Sequence, residues 1–210
     1  MDESGYKPRE EESLRGILNH PVRYVTWFDA VAYSQWLNEK LKIIAKNKTS
    51  PNEVEQKFWQ GIKDGKLIVT LPSEAEWEKG ARGEDGREFP WQGDFEQHLV
   101  NCNNIIGNTS AVGCFPQGRS PYGLLDMSGN VWEWTRSIYE KYPYKPGEKR
   151  ETLADKESAR VLRGGAFNNS GGGVRCAIRD GSHPDVRDDG FGFRVVCASS
   201  PISLVTRSGS

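Results

Sequence analysis

The chain has 210 residues and a formal net charge of -1, which fits one compact domain large enough for a hydrophobic core. No run of Lys or Arg indicates a nucleic-acid partner, no apolar stretch approaches the roughly 20 residues of a membrane span, and the acidic N-terminus is unlike a secretory signal. We therefore expect no nucleic-acid partner, no membrane segment and, by default, a cytoplasmic location. The aromatic residues, with 23 Gly and 11 Pro, favour a loop-rich α+β domain.

The first predicted element is a helix that follows a polar lead-in over residues 1–20. Thr26, with Asp29 three residues later, is a capping-box-like start. Five residues follow at helical spacing: Ala30, Tyr33, Trp36, Leu37 and Leu41. We expect the helix to bury the aromatic stripe that they contain.

The next segments predict a surface excursion, a strand and a second main helix. Residues 47–65 are typical of a turn and a short polar helix, and residues 67–72 (LIVTLP) favour a strand. Ser73 and Glu76 form the strongest capping-box signal in the chain, so the second helix should run over residues 74–81.

The middle of the chain predicts irregular structure around one turn and one strand. Residues 95–121 form a long connection, and residues 137–158 are charged and contain proline, which indicates an exposed loop. Between them lies a tight turn formed by Asp126, Gly129 and Asn130, followed by a strand that places Trp132 and Trp134 on one face.

The cysteines lack the spacing of a metal site. There are four of them: Cys102, Cys114, Cys176 and Cys197. We expect buried thiols, with a disulfide as the alternative.

The C-terminal quarter, residues 160–197, combines an Arg-rich apolar frame with a polar filling. The frame is RVLRGG, VRCA and GFRVVC, which alternate like strands, and the filling is Asn, Ser, Gly, Asp, His and Ile in no periodic order. This contrast indicates a rigid scaffold with a changeable surface.

Five residue types are missing from the end of the chain. Lys, Glu, Gln, Met and Trp occur 46 times up to Glu157 and not once in the last 53 residues. Turn preferences explain part of this difference. Mutation of the adenines in Asn codons that end in a pyrimidine has the same signature, because it can give Ser, Gly, Asp, His, Ile, Val, Ala and Phe but none of the five.

Six motifs, in this order, resemble the formylglycine-generating enzyme family, also called the sulfatase-modifying factor family. They are HPVRYVTWFDAVAYSQWL, LPSEAEWEKGARG, FPWQGD, YGLLDMSGNVWEW, RVLRGG and GFRVVC. The resemblance implies an α+β, C-type-lectin-like fold over residues 21–197, in which a small twisted antiparallel sheet and two main helices support long loops. We expect residues 1–20 to lack the strand region that precedes this range in the family, either because the chain is a fragment or a truncated member or because that sheet edge is supplied differently. Residues 198–210 are expected to be a tail.

Catalytic members of this family carry a redox-active cysteine pair shortly after the RGG motif. This pair binds copper and activates oxygen to convert a substrate cysteine into formylglycine, a reaction that needs soft thiolate ligands. The corresponding stretch is AFNNSGGG, without cysteine between Gly165 and Arg175, and Cys176 matches a structural position. We therefore expect a non-catalytic chain that binds no copper.

The C-terminal pattern is similar to a narrower group, the variable proteins of diversity-generating retroelements. In these proteins a reverse transcriptase that mutates adenines rewrites Asn codons in a C-terminal cassette. The resemblance implies thirteen diversified, ligand-contacting positions: Ala166, Phe167, Asn168, Ser170, Ile178, Asp180, Ser182, His183, Val186, Asp188, Asp189, Gly190 and Phe191. Five arginines would belong to the frame and hold loop carbonyls: Arg163, Arg175, Arg179, Arg187 and Arg194. The alternative is an ordinary Gly- and Asp-rich loop region without diversification.

GLLDMSGNVWEW also resembles a calcium-binding segment of the family. Its position implies a structural Ca²⁺ held by the Asp126 and Glu133 carboxylates and the Gly129 and Val131 carbonyls. The alternative is a tight turn in which Asp126 caps backbone amides and Glu133 pairs with an arginine.

Together these features predict a non-catalytic ligand-binding protein with a diversified C-terminal surface. A shallow face of small polar and a few apolar side chains suits a protein or another macromolecule better than a buried substrate. A family oxidase and an accessory module of a larger enzyme remain the alternatives.

Overall fold

The structure, a computed structural model, describes residues 16–145 and 149–199. The predicted lead-in is described only from residue 16 onwards, and the predicted tail only at residues 198 and 199. The remainder of both segments lies outside the described residues. None of the helices within the two described ranges is long and apolar enough to cross a membrane.

The described residues fall into two compact units. The larger unit combines the chain up to Ala30 with Pro72–Arg194, and the smaller unit combines Val31–Leu71 with the chain from Val195. Helix α1 (Trp27–Ala45) therefore begins in the larger unit and ends in the smaller one.

The smaller unit contains helix α2 (Glu53–Lys63) and a two-stranded antiparallel sheet of β1 (Leu67–Thr70) and β6 (Val196–Ser199). The Asn52 side chain accepts hydrogen bonds from two backbone N–H groups in the first turn of α2 and so caps that helix. The polar helix and the LIVTLP strand predicted for this segment are both confirmed.

The start of α1 is as predicted, but its buried face is not. The Thr26 N–H donates to the Asp29 carboxylate at 2.9 Å and the Asp29 N–H donates to the Thr26 hydroxyl at 3.0 Å. The expectation of a buried aromatic stripe is wrong, because Tyr33 is exposed and Trp36 is only half-buried. The buried residues of this helix recur at helical spacing but begin one turn before Ala30. They are Trp27, Ala30, Val31 and Ser34.

The larger unit is built on a four-stranded sheet in the order β4, β3, β2, β5. Its strands are β2 (Trp132–Ile138), β3 (Arg160–Arg163), β4 (Arg179–Ser182) and β5 (Phe191–Phe193). The β2–β3 and β3–β4 pairs are antiparallel, whereas β2 and β5 are parallel. The expected antiparallel sheet thus needs one correction, because the long connection from β4 carries the chain to the opposite edge before β5 begins.

Helix α3 (Glu74–Arg82) packs on this sheet and carries the predicted capping box. The Ser73 side chain accepts from the Glu76 N–H, and the Glu76 carboxylate accepts from the Ser73 N–H. Gly83 ends the helix at a φ of 66°, a backbone conformation that glycine adopts readily.

Buried tryptophans fill the core of the larger unit. Trp27, Trp77 and Trp134 are among its largest fully buried side chains. The Trp134 indole N–H donates to the Val25 carbonyl and the Trp27 indole N–H donates to the Thr135 carbonyl, each at 3.0 Å. Each ring therefore contributes apolar area without leaving a buried donor unsatisfied.

The long loops of the larger unit follow the sequence predictions in part. Residues 95–121 are irregular apart from two 3-10 turns, Gln97–Leu99 and Pro116–Gly118. The predicted tight turn is confirmed by positive φ angles of 54°, 70° and 67° at Asp126, Gly129 and Asn130.

Two loop predictions are wrong. Residues 137–158 are not uniformly exposed, because Ser137 and Arg150 are buried and Arg150 donates to the Glu140 and Lys141 carbonyls. VRCA is not a strand: its Val174 ends a 3-10 turn, and the strand follows at β4. In both segments, arginine side chains donate hydrogen bonds to backbone carbonyls. These bonds hold the chain in a conformation that the local sequence does not predict.

The prediction of buried thiols holds for half of the cysteines. Cys102 and Cys176 are buried, whereas Cys114 and Cys197 are exposed, and all four are free thiols. Burial raises the pKa of Cys102, and it raises the pKa of Cys176 to about 12.

Replacement of a core tryptophan tests this account of the larger unit. Trp134→Ala should lower the free energy of unfolding by about 3–5 kcal/mol, because it removes a fully buried ring and leaves a cavity. Ile105→Ala, which shortens an exposed side chain, should change it by about 0.5 kcal/mol or less. Denaturant melts of both variants make the comparison, and equal losses would contradict the packing described.

Candidate functional site

A buried ionic cluster holds the C-terminal segment against helix α3. The Glu74 carboxylate is fully buried, and Arg179 donates to both of its oxygens at 2.6 and 2.8 Å. Arg163, also fully buried, lies 3.5 Å from the same carboxylate and donates to Glu78 at 2.7 Å. Such a charge is stable in the interior only when its partners are present.

Two tyrosines complete the shell around Glu74. The Tyr142 and Tyr144 hydroxyls donate to the two Glu74 oxygens at 2.9 and 3.1 Å. Burial and the adjacent Glu74 charge raise the pKa of Tyr142 to about 12, so its hydroxyl remains a donor at neutral pH. These contacts draw the loop after β2 onto the protein, which the sequence analysis missed because no local pattern marks Glu74 as buried.

Two of the frame arginines, Arg163 and Arg179, hold loop carbonyls, as predicted. Arg163 donates to the Cys176 carbonyl at 2.8 Å and the Ala177 carbonyl at 3.3 Å, and Arg179 donates to the Glu140 carbonyl at 2.8 Å.

The other frame arginines act on more distant loops. Arg175 donates to the Gly172 carbonyl at 2.9 Å, and Arg194 to the Leu125 and Asp126 carbonyls at 3.1 and 3.2 Å. Arg187 instead lies 3.7 Å from the Asp29 carboxylate. The planar, multidentate guanidinium suits each of these roles.

The thirteen candidate positions differ in exposure. Six are exposed: Asn168, Ser170, Asp180, His183, Val186 and Asp188. Four are half-buried: Ile178, Ser182, Asp189 and Phe191. The remaining three, Ala166, Phe167 and Gly190, are buried, so these side chains do not face solvent.

The candidate positions form two groups rather than one. One group lies at β4 and the turn that follows it, where the Val186 N–H donates to the His183 carbonyl. The other lies at β5, on the opposite edge of the sheet, and in the loop after the RGG motif. Gly190 connects that loop with β5, because a Cβ on Gly190 would lie 3.0 Å from that of Ala166.

Backbone hydrogen bonds fix the loop after the RGG motif to the 95–121 connection. The Asn103 N–H donates to the Asn169 carbonyl at 2.7 Å, and the Asn104 N–H donates to the Phe167 carbonyl at 2.8 Å. Main-chain contacts of this kind do not depend on which side chains the loop carries. Asn168 can therefore change without loss of the loop's attachment.

Two candidates near β5 have structural contacts of their own. The Phe191 ring packs edge-to-face on Trp134 with centroids 5.4 Å apart. The Asp188 carboxylate accepts from the Gly190 N–H at 2.9 Å, and the Asp188 carbonyl accepts from the Tyr24 N–H at 3.2 Å. Substitution at either position therefore affects packing or a turn as well as the surface.

The contacts of Glu133 match the ion-pair alternative to calcium. Arg194 donates to its two oxygens at 2.5 and 2.7 Å, and the Trp77 indole N–H donates to it at 2.7 Å. A guanidinium cation thus already neutralises this carboxylate.

The other groups of that segment serve the turn. The Asp126 carboxylate accepts from the Gly113 N–H at 2.7 Å, and burial raises its pKa. The Gly129 N–H donates to the Gly164 carbonyl, and Val131 is buried. Both carboxylates of the candidate calcium site are thus bonded within the protein, Glu133 to Arg194 and Asp126 to the Gly113 N–H, and the function proposed below does not depend on the ion.

The stretch that corresponds to the position of the family's catalytic cysteine pair contains no cysteine. Ala166, Phe167 and Asn168 begin the stretch after the RGG motif, and Gly171–Val174 ends it as a 3-10 turn. The Cys176 thiol beyond it is fully buried, and its raised pKa keeps it protonated. Within the described ranges, no cluster of three or more His, Cys, Asp or Glu side chains could hold a metal ion.

Comparison with known proteins identifies the family. Residues 2–199 match the sulfatase-modifying factor enzyme 1-like domain. The chain belongs to this family. The inactive C-alpha-formylglycine-generating enzyme 2 of Bos taurus is 30% identical over 203 residues, which cover 89% of the chain and 52% of that protein. The formylglycine-generating enzyme of Mus musculus is 30% identical over 90% of the chain and 46% of that enzyme.

Among solved structures, this sulfatase-modifying factor domain is similar to Treponema denticola variable protein 1. The two share 25% identity and a TM-score of 0.60, over 87% of the chain and 72% of that protein. The α+β, C-type-lectin-like fold predicted from the sequence is confirmed. The chain spans about half the length of the inactive C-alpha-formylglycine-generating enzyme 2 of Bos taurus and of Mus musculus.

Removal of a frame arginine tests the buried cluster. Arg163→Ala should lower the free energy of unfolding by about 3–5 kcal/mol, because it removes a fully buried cation from beside the buried Glu74 carboxylate and takes away the Arg163 hydrogen bonds to Glu78 and the Cys176 carbonyl. Arg175→Ala is the matched control within the same segment, and its exposed ion pair should contribute about 1 kcal/mol or less. Chemical denaturation measures both values, and a small loss for Arg163→Ala would contradict the anchoring role.

Proposed function

We propose that this domain is a non-catalytic ligand-binding protein whose C-terminal segment is a diversified recognition surface, as in diversity-generating retroelement variable proteins. The observation that carries the proposal is the contrast within residues 160–197. The frame arginines Arg163 and Arg179 bind the buried Glu74 carboxylate and main-chain carbonyls, whereas six filling positions between and beyond them are exposed. Side chains on such fixed loops can change without disturbing the core.

The amino-acid usage supports the same proposal from an independent direction. Lys, Glu and Gln are common at exposed positions in proteins, so protein stability does not require their absence from exposed loops. The last 53 residues nevertheless contain none of them. Adenine-directed mutation of Asn codons excludes these residues whatever the structural environment. The likeness to a Treponema variable protein adds further support.

The exposed positions favour a macromolecular ligand, and specifically a protein. They lie on turns and at two edges of one sheet, and they carry short polar side chains with a single aliphatic residue, Val186. Surfaces of this kind resemble antibody loops, in which Ser, Asn and Gly supply adaptable hydrogen bonds.

Exposed filling positions should accept substitution with little loss of stability. A variant that combines Asn168→Ser, Asp180→Asn, His183→Asn and Val186→Ile should lower the free energy of unfolding by less than about 2 kcal/mol. Phe167→Ala, at a buried candidate position, should cost about 3–5 kcal/mol. Thermal and denaturant melts compare the two variants. Unfolding of the fourfold variant, or a loss of stability as large as that of Phe167→Ala, would contradict the proposal of a diversified surface.

The non-catalytic assignment predicts no oxidase activity. The purified chain with Cu(I) and a cysteine-containing peptide should consume no oxygen above the rate of the peptide and copper alone. An active formylglycine-generating enzyme serves as the positive control. Copper-dependent oxygen uptake that accompanies conversion of the peptide cysteine would instead establish an enzyme.

A further inference from the structure

A four-residue turn directly follows the RGG motif and ends at Asn169. It covers residues 166–169. The Asn169 N–H donates to the Ala166 carbonyl at 3.0 Å, which is the hydrogen bond that closes a β-turn. The two central residues of the turn are Phe167, which is buried, and Asn168, which is exposed. The turn therefore presents Asn168 to solvent.

Asn169 closes the same turn a second time through its side chain. Its Oδ1 accepts a hydrogen bond from the Ala166 N–H at 2.8 Å. The two residues thus exchange a pair of hydrogen bonds, one to a carbonyl and one to a side-chain oxygen. Because Ala166 is buried, water does not readily replace this acceptor, and a buried donor without an acceptor is destabilising.

The same residue also attaches the turn to the neighbouring loops. The Asn169 carbonyl accepts from the Asn103 N–H at 2.7 Å. A Cβ on Gly173 would lie 3.2 Å from the Asn169 Cβ, so the side chain packs closely against the 3-10 turn that follows. Asn169 is half-buried, whereas Asn168 and Ser170 on either side of it are exposed. It is thus the inward-facing residue of this run.

We propose that Asn169 is a positioning residue of the recognition surface, which holds the turn that presents Asn168 to the protein ligand and stays constant while its neighbours change. The inference deepens the proposed function and rests on it. Residue usage does not distinguish Asn168 from Asn169, since both are the unchanged product of an Asn codon. Their contacts distinguish them, and these contacts assign the first to display and the second to support.

Adenine mutation leaves few acceptable residues at this position. Mutation of an Asn codon can give Ser, Gly, Ala, His or Asp, among others. Only Asp keeps an oxygen on Cγ, where the Ala166 N–H reaches it, whereas the Ser oxygen lies on Cβ and is one bond too short. Members of a diversified population that keep this turn should therefore carry Asn or Asp at position 169.

Native-state hydrogen exchange of the full chain tests which property of Asn169 matters. Asn169→Leu keeps the branched shape of the side chain but removes the acceptor, whereas Asn169→Asp keeps the acceptor. The Ala166 amide should exchange at least about tenfold faster in the first variant, and within about threefold of the original rate in the second. Asn168→Leu is the matched control at the exposed position, and it should also leave that rate within about threefold.

A role in packing alone gives a different result, because Leu and Asp have similar shapes and would then affect exchange equally. An Ala166 amide that stays equally protected with Asn169→Leu would overturn the proposal. So would loss of protection with Asn169→Asp, because the turn would then not depend on the side-chain oxygen.

A library of full-length chains extends the test to the mutational products themselves. Codons 168 and 169 both carry any base at their first two positions and a pyrimidine at the third. The library is displayed on yeast, sorted for resistance to trypsin and to chymotrypsin, and sequenced. We expect Ala, Gly, Ser and His among the survivors at position 168, but a population dominated by Asn and Asp at position 169.

The library separates this inference from the proposed function. Ala and Gly that survive as often at position 169 as at position 168 would overturn the role of Asn169. Restriction of both positions to Asn and Asp would overturn the proposed function instead, because Asn168 would then be a structural residue as well.

Discussion

The buried carboxylate of Glu74 is the interaction on which the larger unit depends. It sits in the first turn of α3 and receives hydrogen bonds from Arg179, Tyr142 and Tyr144, with Arg163 beside it. A fully buried charge without these partners would be strongly destabilising. The cluster therefore joins a helix, two strands of the sheet and the loop after β2.

If the segment is diversified, as proposed, this cluster explains how its backbone can stay constant while its sequence changes. Both guanidinium groups on Glu74 come from residues 160–197, whereas the carboxylate lies outside that segment. Arg194 repeats the arrangement at the segment's end, where it pairs with Glu133. The backbone between these arginines is held by charge-assisted and main-chain hydrogen bonds, so the intervening exposed side chains are free to differ.

Local sequence patterns correctly predicted those features of the fold that depend on a few neighbouring residues. The capping boxes at Thr26 and Ser73, the LIVTLP strand and the Asp126 turn all appear in the structure, since each depends on a few neighbouring residues. The burial of Glu74 could not be predicted in this way, because its partners lie more than 60 residues away. The parallel pairing of β2 with β5 likewise depends on where a long loop crosses the sheet.

The exposure of the candidate positions could not be predicted from residue usage. Under the proposed function, residue usage reflects a mutational process that acts on codons and takes no account of burial. Phe167 and Asn168 are therefore equal candidates by sequence, although the first is buried and the second exposed.

The DNA sequence around the gene tests the central claim most directly. The account predicts a near-copy of codons 160–197 beside a reverse-transcriptase gene, differing from the expressed copy only at adenines, with Asn codons at exposed positions such as 168 and 183. Such a copy would establish the diversified surface and name its residues. A genomic neighbourhood without one, or with differences scattered over all four bases, would contradict the account and return the chain to the wider family as an accessory domain.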